Sequence, residues 1–249
     1  GEDFPSEFRS VLSEKNIDLS GLEVAHGKTF RWTGKYEGDM NVAETVDTQL
    51  NVFEHFSPKI EEGECDFLFL ANIDPRLQLD VLKKVKTHRL VASDTMNLWI
   101  NIKRDELISV LQKVDLFVLN DAEARLLTGE QNLVKAIKAI HSYGPSKIII
   151  KKGEHGAIAF YDGSIFTFPA YPLEDVFDPT GAGDSFAGGV IGYLSEKNDL
   201  SMDSFRQAIA YGTVVASFAV EKFSLQRLRE INRTVIDERF TTFRKLTHF

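Results

Sequence analysis

Apolar residues along this chain change their period twice. Phe4, Phe8, Val11 and Leu12 recur at helical spacing and predict a short helix over residues 4 to 15, with Pro5 near the start where its missing N–H costs little. Two alternating runs follow, Lys28 to Tyr36 and Thr45 to Phe53. Phe30, Trp32 and Tyr36 share one parity of the first, and Val46, Thr48, Leu50 and Val52 share one parity of the second. Separated by a turn containing Gly38 and Asp39, they predict a hairpin with one apolar face.

From Cys65 onward strand-like and helical segments alternate. Apolar runs at Asp66 to Ala71, Arg89 to Ala92, Leu116 to Leu119 and Ile148 to Ile150 are interleaved with helical stretches near 75 to 86, 104 to 113 and 132 to 143. The runs are short and apolar on both parities, as a parallel sheet covered by helices on both faces requires. Gly156 to Tyr161 and Ser164 to Phe168 then form a tight antiparallel pair around Asp162-Gly163. Residues 201 to 222 read as a long helix capped by Ser201 or Asp203, and about 234 to 246 as a covering helix. The expected architecture is one α/β domain over 1–249. Ligands of such sheets bind beyond the strand C-termini, at a switch in strand order.

Between the last strand and the long helix lies DPTGAGDSFAGG, Asp178 to Gly189. Gly181 and Gly183 bracket Ala182, Asp184 follows, and Phe186, Ala187, Val190, Ile191 and Leu194 then mark one helical face. A glycine turn opening into a helix presents free backbone N–H groups at the positive end of the helix dipole, a site for an anion such as phosphate. Asp184 reads either as a helix-start acid or, beside a bound anion that it would repel, as a base taking a proton from an attacking hydroxyl. No lysine occurs in the stretch, which excludes a P-loop, and Gly188 lies five residues beyond Gly183, which excludes the dinucleotide fingerprint.

Composition narrows the partners. With 249 residues, 43% of them hydrophobic, the chain can bury a substantial core, and its net charge of −8 argues against nucleic acid and anionic membranes. No run approaches the ~18 apolar residues of a membrane span, and the Gly-Glu-Asp-Phe start does not resemble a signal peptide. The single cysteine, Cys65, reads as a structural buried thiol, and a reducing cytoplasm fits. The six histidines show no metal-ligand spacing.

Three strand ends are polar: Asn72 with Asp74, Asp94 with Asn97, and Asn120 with Glu123. Each has a capping alternative, and Asn120 with Glu123 has the spacing of a capping box. The fourth strand leads into Lys151-Lys152-Gly153-Glu154-His155-Gly156, which on spacing alone is a hairpin turn with solvated lysines.

The DPTGAGDSFAGG stretch resembles the C-terminal signature of the ribokinase-like carbohydrate kinases, the phosphofructokinase B group, whose pattern is Asp-Thr-x-Gly-Ala-Gly-Asp. Pro179 stands where Thr is commoner. Asn120-Asp121-Ala122-Glu123 matches the Asn-x-x-Glu motif of that family. The resemblance implies a ribokinase-like fold with a small β lid at about 28–53, ATP as donor, Mg²⁺ as metal, and a small sugar or nucleoside as acceptor. It implies Glu123 as the magnesium residue, acting through water. Asn120, Lys152, Gly153, Asp178, Ala216 and Val220 are then the nucleotide side, Asp178 bracing the loop, and Asn72, Asp94 and Asn97 the acceptor side. Phe30 and Trp32 pack, meet a second subunit or stack on the substrate, and the lid permits a homodimer. Gly181, Ala182, Gly183 and Asp184 are the catalytic set. The family places a Gly-x-Asp and helix well inside its chains, so roughly 35 to 40 residues of the fold are expected to precede this sequence. A nucleotide-binding protein without catalysis is the alternative from another class, and a nicotinamide-dependent oxidoreductase is disfavoured by glycine spacing.

Overall fold

The computed structural model describes residues 1–37, 40, 44–59 and 62–247, and it divides the chain into two units, Gly1–Glu61 and Glu62–Phe249. In the first, helix α1 (Ser6–Glu14) precedes strands β1 (Arg31–Lys35) and β2 (Glu44–Gln49), which pair antiparallel, Trp32 opposite Thr48. The expected hairpin is present but shorter, because Asn51–His55 turns into a 3-10 helix. The expected turn at Gly38 and Asp39 lies outside the described residues. The apolar parity is there too, yet Phe30, Trp32, Val46 and Leu50 are all exposed.

The second unit is built on a six-stranded sheet. It comprises β3 (Gly63–Leu70), α2 (Pro75–Lys84), β4 (Val85–Asp94), α3 (Asn97–Ile102), α4 (Arg104–Leu111), β5 (Leu116–Asn120), α5 (Asp121–Thr128), α6 (Leu133–Ser142) and β6 (Lys147–Lys151). Then come β7 (Ala157–Tyr161), β8 (Ser164–Phe168), α7 (Ala182–Lys197), α8 (Met202–Ala219), α9 (Gln226–Glu230) and α10 (Arg233–Leu246). The strands lie in chain order, β3 to β8, the first four parallel and the last three joined antiparallel. The order never reverses among the described residues, so the expected switch point is absent. The two closing hairpins use tight turns in place of a crossover that would carry the chain back.

Parity in β5 and β6 sorts the interior into two layers. Phe117, Leu119, Ile148 and Ile150 join Leu107, Leu111, Ile137 and Ile140 from α4 and α6 on one face. Leu116, Val118 and Ile149 join Phe186, Val190, Leu194, Phe205 and Ile209 from α7 and α8 on the other. Period-two side chains buried on both sides are what makes each strand read as continuously apolar. Cys65 is only half-buried, its Sγ 3.7 Å from Thr87 Oγ1, where a fully buried thiol was expected. It lies near the start of β3, before that strand enters the interior.

Helix α7 runs against the strands. Its first turn lies at the C-terminal end of β6, and the carbonyl of its C-cap Asn198 accepts a bond at 2.9 Å from Arg89, midway along β4. α8 crosses it closely, since a Cβ on Gly212 would come within 2.6 Å of the Phe186 carbonyl. Packing on both sheet and α8 thus fixes where the N-terminus of α7 points.

Candidate functional site

The turn into α7 is held by its own backbone. Asp178 Oδ1 accepts from Thr180 N–H at 3.0 Å, the Pro179 carbonyl accepts from Ala182 N–H at 3.1 Å, and the Gly181 carbonyl accepts from Ser185 N–H at 2.9 Å. Gly181 is the N-cap with φ 78°, a left-handed conformation that favours glycine. The N–H groups of Gly183 and Asp184 take part in none of these bonds and stand at the positive end of a 16-residue helix. Ala182, expected to offer its amide to a ligand, donates it to Pro179 instead, because the tight turn brings that carbonyl back over it. Asp184 is exposed.

Asp178 makes a second link. Its Oδ2 also accepts from Ser224 N–H at 3.2 Å, while the Val220 carbonyl accepts from Phe177 N–H and Asp178 N–H, so the segment after α8 is stapled to the turn before α7. Burial pushes the Asp178 carboxyl up, but the bonds from Thr180 and Ser224 outweigh it and hold the group below the usual range.

Next to this turn the ends of β4 and β6 and the start of α5 bring charges together. Asp94, the last residue of β4, is 4% exposed, and its Oδ1 has no hydrogen-bond partner. Burial pushes its carboxyl up to about 7; Lys151 opposes that shift, and Asp184 and Glu123 reinforce it. Glu123 is buried and raised as well, first by burial, against bonding from Asn120 N–H and the charge of Lys151. Asn120 and Glu123 form the full capping box of α5, Asn120 N–H to Glu123 Oε2 at 2.7 Å and Glu123 N–H to Asn120 Oδ1 at 2.8 Å. The capping role is therefore realised, and it leaves Glu123 at the strand end beside Asp184 in electrostatic reach. Among the described residues no three His, Cys, Asp or Glu side chains form a ready metal cage.

Lys151 completes the cluster, and sequence reasoning passed over it for Lys152. It is the last residue of β6, opposite Asn120 in the parallel register. A Cβ placed on Gly183 would lie 2.8 Å from Lys151 Nζ. The signal that could have found it is that register: a strand end beside the Asn-x-x-Glu segment. Lys152 instead enters the turn, its N–H donating to Gly156 O at 2.7 Å, and Gly153 starts a short 3-10 segment, so this stretch is a hairpin turn between β6 and β7.

The remaining candidates spread out. Asn72 is engaged on both amide atoms, accepting from Trp99 Nε1–H at 2.9 Å and donating to Met96 Sδ at 3.2 Å. Asn97 is exposed on the first turn of α3, a helix the sequence pattern did not foresee. Ala216 packs against the interior layer under α7, and Val220 contributes its carbonyl to the staple. Phe30 packs on Phe53 with ring centroids 5.2 Å apart, and Trp32 donates to Thr45 Oγ1 at 3.2 Å.

Comparison with known proteins places this arrangement. The family model described as pfkB family carbohydrate kinase matches residues 1–232. The chain belongs to the pfkB family of carbohydrate kinases. This family member is 33% identical over 205 residues to the cytidine kinase of Thermococcus kodakarensis, covering 80% of the chain and 73% of that protein. It is 32% identical over 130 residues to the ribokinase of Haemophilus influenzae, covering 50% of the chain and 40% of that protein. Its fold is that of the Salmonella enterica aminoimidazole riboside kinase solved with aminoimidazole riboside and an ATP analog, with a TM-score of 0.75 at 18% identity over 98% of the chain and 83% of that structure. The ribokinase-like fold and the kinase family expected from the glycine turn are thereby shown.

Proposed function

We propose that this pfkB family member transfers the γ-phosphoryl group of ATP to a hydroxyl of a small sugar or of the sugar moiety of a nucleoside. The observation that carries the reading is the α7 turn: the N–H groups of Gly183 and Asp184 outside the turn's own bonds, with the exposed Asp184 carboxylate beside them. Such amides stabilise charge that develops on the phosphoryl oxygens. Asp184 receives the hydroxyl proton. An ordinary carboxylate is too weak a base to ionise an alcohol beforehand, so the proton leaves late, as the oxygen bonds to phosphorus.

The residues present suit a magnesium ion. Glu123 and Asp94 place two buried carboxylates, one with an orphan oxygen, beside a phosphate site in a chain of net charge −8. They would hold Mg²⁺, Glu123 through water, and the ion would supply charge neutralisation for the phosphates. Among the described residues no helix is long and apolar enough to cross a membrane, and we place the reaction in the cytoplasm.

The relative aligned over 80% of the chain is named a cytidine kinase, which favours a nucleoside among the acceptors. The test is ATP consumption with product identification over a panel of nucleosides, sugars and sugar phosphates. A phosphorylated product from one of these supports the reading. ATP binding with no product from any acceptor defeats it in favour of nucleotide binding without catalysis.

A further inference from the structure

Lys151 has no evident structural employment. It is partly buried, and among the described residues its ammonium makes no hydrogen bond and no ion pair. Its Nζ is pressed against Gly183, the positive end of α7, where a cation is disfavoured by the helix dipole. A partly buried ammonium with open donors is costly unless something accepts them. The nearby carboxylates act on it through space only. Asp94 and Glu123 both feel the charge of Lys151, yet neither bonds to it, and the Asp94 Oδ1 is sealed from water without any donor. The cluster thus sets a cation beside Gly183, whose N–H, like that of Asp184, stays outside the turn's own bonds, with two buried carboxyls nearby. An anion with several oxygens accepts from the ammonium and from both amides, whereas Asp94 Oδ1, itself an acceptor, gains nothing from it.

We infer that Lys151 is a catalytic residue: its ammonium shares the phosphate oxygens of the donor nucleotide with the N–H groups of Gly183 and Asp184 and stays with the phosphoryl group as it moves. This rests on the phosphotransfer reading above. In the transfer, the bond from the γ-phosphorus to the bridging oxygen breaks and its electron pair remains on the diphosphate. The acceptor oxygen bonds to phosphorus, and its proton passes to Asp184. Lys151 donates no proton; it remains an ammonium throughout and offsets the charge that builds on the bridging oxygen as that oxygen leaves with the diphosphate.

The experiment compares wild type with Lys151→Met and Lys151→Arg in steady-state turnover and in calorimetric binding of ADP and of adenosine, with circular dichroism as the folding check. For Lys151→Met, kcat/KM for ATP is expected to fall about 10²- to 10³-fold, as on loss of one charge-stabilising donor. ADP affinity is expected to fall about tenfold or more while adenosine affinity holds, and Lys151→Arg recovers part of both losses. A folded Lys151→Met with kcat/KM within about threefold of wild type overturns the inference and leaves the phosphotransfer reading intact. Equal losses for ADP and adenosine also overturn it, since they mark general damage. Should the methionine variant fold poorly, Lys151→Gln carries the same comparison. Failure of wild type itself to bind ADP or to form product counts against the phosphotransfer reading, and is seen before any variant is measured.

Discussion

The two units of this chain achieve order by different means. Residues 62–247 bury apolar side chains on both faces of a six-stranded sheet, whereas among the described residues of Gly1–Glu61 only Val11 is buried. The smaller unit relies on strand pairing, on the Phe30–Phe53 and Phe53–Phe56 ring contacts, and on Asp3, which accepts from Thr29 N–H at 2.6 Å and pairs with Arg31. An isolated two-stranded ribbon is marginal in water. The contrast teaches that the proposed phosphoryl site stands on the part of the chain with its own interior.

The comparison is tested first at the site. Asp184→Asn is expected to lower turnover by about 10³-fold or more at unchanged melting temperature, while Val46→Ser in the hairpin leaves turnover within about twofold. Turnover near wild type in the Asp184 variant removes the base from the mechanism. Next comes stability: Ile149→Ala, fully buried at mid-sheet, should cost about 2–5 kcal/mol in urea unfolding, against less than about 0.5 kcal/mol for Val46→Ala. A reversed ranking would mean that the hairpin, not the sheet, holds the fold.

Asp94 supplies a pH test. Its carboxyl is raised in the folded state to about 7, so below about pH 4 both states hold the proton and nothing is lost. Between there and about 7 the unfolded chain sheds it first, and stability falls as pH rises, by at most about 4 kcal/mol. Asp94→Asn should flatten that decline and stabilise the protein at neutral pH. An unchanged slope would show that Asp94 is not buried as a charged group. The smallest effect is expected for Glu123→Gln: a magnesium requirement raised by a few-fold, read from the metal dependence of turnover. An identical dependence would take Glu123 out of metal binding.

Much of this was legible before any coordinates. Leu116 to Leu119 and Ile148 to Ile150 are apolar at every position, which forces cover on both sheet faces, and cover is what α4, α6, α7 and α8 provide. The glycine turn announced free amides, and of the four expected donors, Gly181 to Asp184, the turn's own backbone bonds take only the Ala182 N–H. Other features depend on relations that no single segment contains. Which of Lys151 and Lys152 faces the site is set by where β6 ends against Asn120. The loss of the Ala182 amide follows from the tightness of one turn. Alternation revealed an apolar hairpin face but carried no information on whether anything covers it.

The strand order has a consequence for assembly. Each strand from β4 to β8 pairs with the one synthesised just before it, so the sheet can grow by local steps as the chain emerges. Leu90, Ala92, Leu116 and Val118, however, wait for a helix that begins at Ala182. A nascent chain stalled before that point displays a greasy, finished sheet without its lining. The proposed phosphoryl site, at the first turn of that helix, takes shape only once α7 is laid on the sheet.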